Sequence, residues 1–416
     1  MPFWKRYYYR YLQRFVGSIT DPNGRIFIAS AHEAAKDHGI SFQDKGFEYI
    51  VASDVLGHID DIGGFLRQAR SALSLSGRII ITQYSALWEP VLRLAAHLGL
   101  RKGVIEQNWL SMNDLKNLSY LAGLETVRSG TKMIMPIYIP FISHALNSAA
   151  ANIWPFSHLG IFHYIIARRP EPRAASQSSI SIIVPARNEA GTIEEIAKRL
   201  PDLGRFTEII FIEGNSTDDT YREIERVAEE MGKTRKIIYG RQDGKGKGDA
   251  VRKGFDMASG DILAIYDADM TVPAAEVRGF YEAITENKGD FINGSRLVYP
   301  MQKESMRVLN FLANKFFGLA FSWILGRPIK DTLCGTKVLW RADYEKIKRG
   351  RSFFGDFDPF GDFDLLFGAA RLDLKIIDLP VHYRERVYGS TNISRWKHGW
   401  LLLKMTVFAA RKIKFV

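Results

Sequence analysis

The stretch DILAIYDADM (Asp261–Met270) decides how this chain is read. An apolar run, Ile262–Tyr266, ends in two aspartates one residue apart. A short apolar run bounded by polar residues predicts a strand buried on both faces. Residues i and i+2 of a strand face the same side, so Asp267 and Asp269 are expected to project together from its carboxyl end. Two carboxylates there suit a hard divalent cation. Mg²⁺ or Mn²⁺ takes one or two carboxylates and completes its shell with phosphate oxygens. Standing alone, a D-x-D reads equally well as a solvated turn.

The surrounding sequence repeats the same alternation. SISIIVPA (Ser179–Ala186), EIIFIEG (Glu208–Gly214) and KIIYG (Lys236–Gly240) are strand patterns. Between them, TIEEIAKRL (Thr192–Leu200) reads as a helix capped by Thr192, with Glu195 at capping-box spacing. TDDTYREIERVAEEMG (Thr217–Gly232) is a second helix. Strands alternating with helices predict a parallel sheet covered on both faces, with ligands at the carboxyl ends of its strands. The polar clusters fall there: VPARNEA (Val184–Ala190), IEGNSTDDT (Ile212–Thr220) and GRQDGKGKGDAVRKGF (Gly240–Phe255). Glycines in the last of these let backbone approach a ligand, and its lysines supply charge for phosphate.

The whole chain has 416 residues, 46% apolar and 25% charged, which suits two ordinary globular domains and excludes a disordered chain. One cysteine, Cys334, permits no internal disulfide and reads as a reducing setting. Net charge is +11, and the excess is spread along the chain, so no nucleic-acid-binding tail is expected. From Val387 to the end, however, there are six Lys/Arg and no Asp/Glu. Trp396, Trp400, Leu401–Leu403 and Phe408 interleave with those charges, a composition that favours an anionic membrane surface. No apolar run reaches the length of a spanning helix. The Pro- and Ser-rich stretch RRPEPRAASQSS (Arg168–Ser179) reads as a linker.

Together and in this order, the motifs of the second part resemble family 2 glycosyltransferases, closest to the branch of dolichol- and polyprenyl-phosphate mannose and glucose synthases. The resemblance covers about Ser179 to His398. It implies a GT-A nucleotide-diphospho-sugar transferase fold. Pro185, Ala186, Arg187 and Glu189 would line the base pocket, and Glu213 would contact base or ribose where the family usually has Asp. Asp218 would support that loop, with Lys245 and Gly246 lying over the nucleoside. The resemblance gives the pyrophosphate to Asp267, Ala268 and Asp269 through the metal.

Further along, GSRLVYP (Gly294–Pro300) and Arg307 match positions that direct Arg296 and Arg307 at phosphate, although each arginine also reads as a surface ion pair. DTLCGTKVLWR (Asp331–Arg341) places Asp331 on an acidic motif and leaves Cys334 as a packing residue. FGDFDLLFGAARL (Phe360–Leu372) carries the acceptor-side acids Asp362 and Asp364, one of them a general base if the acceptor is an alcohol. VHYRERVYGSTNISRWKHGWLLLKM (Val381–Met405) resembles a phosphate-binding loop with Arg384 and Arg386 at its start. Asn392 stands where relatives have Lys, and Arg395 is positioned to substitute for it.

The first part reads as α/β. FEYIVAS (Phe47–Ser53), the helical IDDIGGFLRQARSALSL (Ile59–Leu75) and GRIIITQY (Gly77–Tyr84) resemble the rear half of a class I S-adenosylmethionine methyltransferase. The front half does not fit. RIFIAS (Arg25–Ser30) is followed by AHEAAKDHG without a Gly-rich turn, and only about 22 residues separate two strands. A truncated Rossmann-like methyltransferase-type domain is expected, with no S-adenosylmethionine bound and a structural, regulatory or protein-binding role.

The expected organisation is therefore a degenerate domain over 1–170, a linker over 171–178, a GT-A domain over 179–386 and a basic amphipathic segment over 387–416. The expected activity is inverting, metal-dependent transfer of a hexose from a nucleotide-diphosphate sugar. The acceptor would be a lipid-linked phosphate, met by a peripheral protein at the cytoplasmic face of a membrane. Transfer to a sugar hydroxyl, or a non-catalytic scaffold that binds sugar nucleotide, are the alternatives.

Overall fold

A computed structural model describes residues 3–29, 42–97, 108–171, 178–299, 308–351, 361–386, 388 and 395–415. The chain forms two units, Met1–Glu171 with Lys414–Val416, and Pro172–Ile413.

In the first unit the strands are β1 (Ile26–Ala29), β2 (Phe47–Ser53), β3 (Leu73–Tyr84), β4 (Glu125–Lys132) and β5 (Phe162–Arg168). Their order in the sheet is β1-β2-β3-β5-β4. β1, β2 and β3 run parallel, and β5 is antiparallel to both β3 and β4. Side-chain alternation sorts the two faces. Ile50, Ala52, Ile79, Ile81 and Ile165 pack with Phe65 and Leu66 of the helix Ile62–Ala72. Val51, Ile80, Tyr84, Phe162 and Ile166 pack with Tyr8 and Leu12 of the helix Phe3–Ile19. The helix anticipated over Ile59–Leu75 is shorter than its sequence pattern, because Leu73 already has extended backbone and opens β3.

The second unit contains β6 (Ile180–Ala186), β7 (Thr207–Glu213), β8 (Lys236–Arg241), β9 (Ile262–Ile265), β10 (Phe291–Ser295), β11 (Lys337–Trp340) and β12 (Ile376–Pro380). They form one sheet in the order β12-β10-β11-β9-β6-β7-β8. β6 pairs in parallel with β7 and β9, and β7 with β8. β11 is the reversed strand, antiparallel to β9 on one side and β10 on the other. Both faces are covered, which explains the nearly unbroken apolar runs. Ile180, Ile182 and Val184 of β6 join one buried cluster with Ile196 and Phe280. Ile183 points into the other, with Phe255, Phe321 and Phe363.

Two local expectations are corrected. β9 ends at Ile265, so Asp267 and Asp269 stand in the turn beyond it and the strand pleat does not align them. Met270, at φ 54°, completes that turn, and its amide reaches back to the Asp267 carbonyl. Thr192 does not form a capping box. A tight turn over Ala190–Thr192 leads into the helix Ile193–Arg199, and the Thr192 hydroxyl donates back to the Glu189 carbonyl.

Candidate active site

β6, β7 and β9 end together, and three loops leave the same edge of the sheet. After β6, Ala186 is buried, Arg187 packs beside Gly214, and Asn188 takes a positive φ of 56°. The Asn188 side-chain oxygen accepts from Thr217 N, and its amide donates to Ser216 Oγ. These bonds stitch the loop after β6 to the loop after β7. Asp218 adds to the seam, accepting from Thr220 N at 3.0 Å and from Ala190 N at 3.4 Å. Glu213 is buried and turns inward, accepting from Ser216 N, so it closes its own turn.

The aspartates after β9 are each matched by a cation. Lys247 Nζ lies 2.5 Å from Asp267 Oδ1. Lys247 opens the helix Lys247–Met257 immediately after Gly246, whose φ of 87° allows the sharp entry. Burial pushes the Asp267 carboxyl up, but Lys247, with Lys337 and Arg296 nearby, holds it below the usual carboxylate range. Ala268 is buried between the two acids. Asp269 Oδ1 accepts from the Thr271 amide and hydroxyl, and its Oδ2 accepts from Arg386 Nη2 at 3.0 Å.

Arg386 belongs to a strap that follows β12 and crosses the turn. Val381 N donates to the Ser295 carbonyl and Arg384 N to the Thr271 carbonyl. His382 stacks on Tyr299 at 4.2 Å and bonds Glu276. Arg386 Nη1 lies 2.5 Å from Glu189 Oε1, so one guanidinium joins the loops after β6 and β9. Glu189 Oε2 is buried without a hydrogen-bond partner. Burial pushes the Glu189 carboxyl up to about 7; Arg386 opposes that rise and Asp269 adds to it.

Arg296 does not face open space. Its Nε and Nη2 clasp Asp331 at 2.7 and 2.9 Å, its amide also donates to Asp331, and its guanidinium lies 5.2 Å from the Tyr383 ring centroid. Asp331 is fully buried, so this pair is a floor beneath the strap. Cys334 is buried in the same layer, and burial pushes its thiol up to about 11, which suits packing and no reactivity.

Asp364 lies on the helix Asp362–Arg371, buried and paired with Arg351 Nε at 3.0 Å, beside Gly248 and Arg252. Lys245 and the Arg384 side chain are exposed. Arg307 and the side chains of Asp362 and Arg395 lie outside the described residues. The structure thus links Glu189 and Asp269 through Arg386, with Asp218 on the adjoining loop and Asp267 held by Lys247, while Asp364 forms an ion pair with Arg351. The sequence includes Lys247 only among the lysines of the Gly/Lys loop and gives Tyr383 no role. Lys247 was legible as the second lysine of GKGKG, the one that falls inside the helix; nothing local marks Tyr383.

Among the described residues, no group of three or more acids, histidines or cysteines could hold a metal by itself. The turn nevertheless fits a hard cation. Its donors are carboxylate oxygens, two side-chain cations already sit on them, and a phosphate-bearing ligand would complete the shell.

The sheet order, the reversed β11 and this acidic turn define a GT-A domain. The family model described as glycosyl transferase family 2 matches residues 181–347. The dolichol-phosphate mannosyltransferase of Pyrococcus furiosus is 34% identical over 248 residues, spanning 57% of this chain and 67% of that protein. The chain belongs to glycosyl transferase family 2. The dolichyl-phosphate beta-glucosyltransferase of Saccharomyces cerevisiae is 29% identical, over 50% of this chain and 67% of its own. Glycosyltransferase AglD of Haloferax volcanii is 27% identical over 54% of this chain, and the match spans only 36% of that longer protein. A solved glucosyl-3-phosphoglycerate synthase from Mycobacterium tuberculosis superposes with a TM-score of 0.41 at 19% identity, over 57% of this chain and 80% of its own. A methyltransferase domain model matches residues 12–129.

Proposed function

We propose that this chain transfers a hexosyl group, with inversion, from a nucleotide-diphosphate sugar to a polyprenyl-phosphate-type acceptor at the cytoplasmic face of a membrane. The observation that carries the reading is the acidic turn after β9 flanked by Lys247 and Arg386. Asp267 and Asp269 would hold Mg²⁺ or Mn²⁺, which when bound neutralises charge on the leaving diphosphate. Lys247 is fixed at a helix start beside Asp267, a placement that adds positive charge on the donor side. Arg386, at the end of a backbone-anchored strap, offers the planar fork that suits a phosphate.

In the reaction, an acceptor phosphate oxygen bonds the anomeric carbon as the bond to the donor diphosphate breaks, and the nucleoside diphosphate leaves with the electron pair. A phosphate monoester has a second pKa near 6, so it attacks without a general base.

Membrane contact has support in the second unit. The helix Val308–Leu325 exposes Leu312, Phe316, Leu319 and Trp323 along one stripe, and the helix Arg395–Ala409 exposes Trp400, Leu403 and Val407. Among the described residues no helix is long and apolar enough to cross a membrane. The reading is tested by incubating the chain and Mn²⁺ with UDP-, GDP- and dTDP-hexoses, with and without polyprenyl phosphate, and weighing the products. A polyprenyl-phosphate hexose supports it; a hexose carried only by an added sugar hydroxyl replaces the acceptor; nucleotide binding without turnover overturns it.

A further inference from the structure

A second surface, in the first unit, is not used by the transfer reaction. Residues 133–167 contain no Asp, Glu, Lys or Arg. This stretch holds the insertion between β4 and β5. It leaves large apolar side chains in solvent, among them Ile137, Tyr138, Phe141, Ile142, Trp154 and Phe156. Phe141 is 90% exposed and Trp154 76%. Phe141 also has φ 63°, a strained setting for an aromatic residue, and its ring is held outward.

Ser143, Asn147 and Asn152 of the insertion are turned inward, while His144 and His158 are exposed. Asn147 Oδ1 accepts from the amides of Ile134 and Met135, and its Nδ2 donates to the Met135 carbonyl. The Ser143 hydroxyl bridges the Ile139 amide and the Ile137 carbonyl. Asn152 donates to the Ser148 carbonyl and accepts from Lys132 Nζ. A loop that satisfies its own backbone and presents hydrocarbon outward suits a medium that offers no hydrogen bonds.

Charge stands beside this patch. The helix Phe3–Ile19 has no acid, and Arg6, Arg10 and Arg14, four residues apart, are all exposed. Its Tyr7 contacts the Tyr138 ring at 5.5 Å and accepts from Asn147 Nδ2 at 3.3 Å, so helix and insertion form one surface. Aromatic side chains next to a row of arginines match an interface of acyl chains and anionic headgroups.

We propose that the insertion and the first helix dock on the surface of an anionic lipid bilayer, with Phe141 and Trp154 entering the headgroup–acyl boundary. This contact uses residues of the first unit only and does not depend on the transfer reaction. The full chain carrying Phe141→Cys is labelled with an environment-sensitive fluorophore; the native Cys334 is buried. It is mixed with phosphatidylcholine vesicles, with or without phosphatidylglycerol. The expected result is a blue shift and a several-fold rise in emission with phosphatidylglycerol only. Trp400→Ser/Leu403→Ser should keep that response, and Arg6→Gln/Arg10→Gln/Arg14→Gln should lose most of it. Failure to bind vesicles, or co-sedimentation with them without a change in emission, overturns the proposal. So does a concentration-dependent blue shift without lipid, which would assign the patch to a second copy of the chain.

Discussion

Arg386 Nη2 lies 3.0 Å from Asp269 Oδ2, although 117 residues separate the two in sequence. The same guanidinium holds Glu189, so the strap after β12 is fastened to the acidic turn by charge. A ligand that brings its own phosphates and cation to Asp269 must compete with Arg386. Asp269→Ala therefore removes both a ligand for the cation and the strap's anchor. Transfer activity should fall about 10²–10³-fold, in the range seen when one electrostatic contact to developing charge is lost. Circular dichroism should be unchanged, and steady-state assays over a Mn²⁺ series measure the effect.

Lys247 gives a complementary prediction. Lys247→Met leaves Asp267 without its 2.5 Å partner and takes a positive charge from the donor side. The donor KM should rise about 10-fold or more, and kcat should fall as well if the charge acts on the leaving group. Lys247→Arg should recover part of the loss.

Gly335 tests the packing of the same pair. A methyl group on its α-carbon would overlap Asp267 Oδ2 and Lys247 Nζ. Gly335→Ala should therefore displace the pair and depress activity about as strongly as Lys247→Met, while thermal unfolding shows a milder change.

Glu189 makes stability depend on pH in the ligand-free protein. Its carboxyl sits near 7 in the fold against an ordinary value of 4.5, so the folded state binds the proton more tightly. Stability must fall as pH rises from about 4.5 to about 7, and the full loss remains above that. Glu189→Gln should flatten the slope across that window, as read from urea unfolding at several pH values.

Arg296→Met leaves the fully buried Asp331 without its bidentate partner. Breaking a buried pair in this way costs about 3–5 kcal/mol. A drop in the urea midpoint, with donor affinity retained in the fraction still folded, would mark Arg296 as part of the floor of the site.

The repeated strand–helix pattern from Ser179 onward was legible because β6, β7 and β9 are apolar on both faces. Placing β11 was not, since VLW reads like the apolar parallel strands elsewhere in the sheet and nothing in it records that it runs against β9 and β10. The acidic turn was recognisable by residue type, but its geometry was not. Asp267 and Asp269 are set by Lys247, Met270 and Arg386, which are turn and tertiary partners, and strand alternation plays no part. Arg296 shows the same limit: the family resemblance directed it at phosphate with an ion pair as the alternative, and the partner, Asp331, is distant in sequence. Thr192 had capping-box spacing, yet the preceding turn drew its hydroxyl to Glu189.

The central claim is that Asp267 and Asp269 grip a donor diphosphate through a divalent cation. Calorimetric titration of nucleoside diphosphate, with and without Mn²⁺, into the wild-type chain and Asp269→Ala tests it most directly. The account predicts tight, Mn²⁺-dependent binding to the wild type and at least a tenfold loss in the variant. Equal affinity with and without Mn²⁺, unchanged by Asp269→Ala, would contradict it.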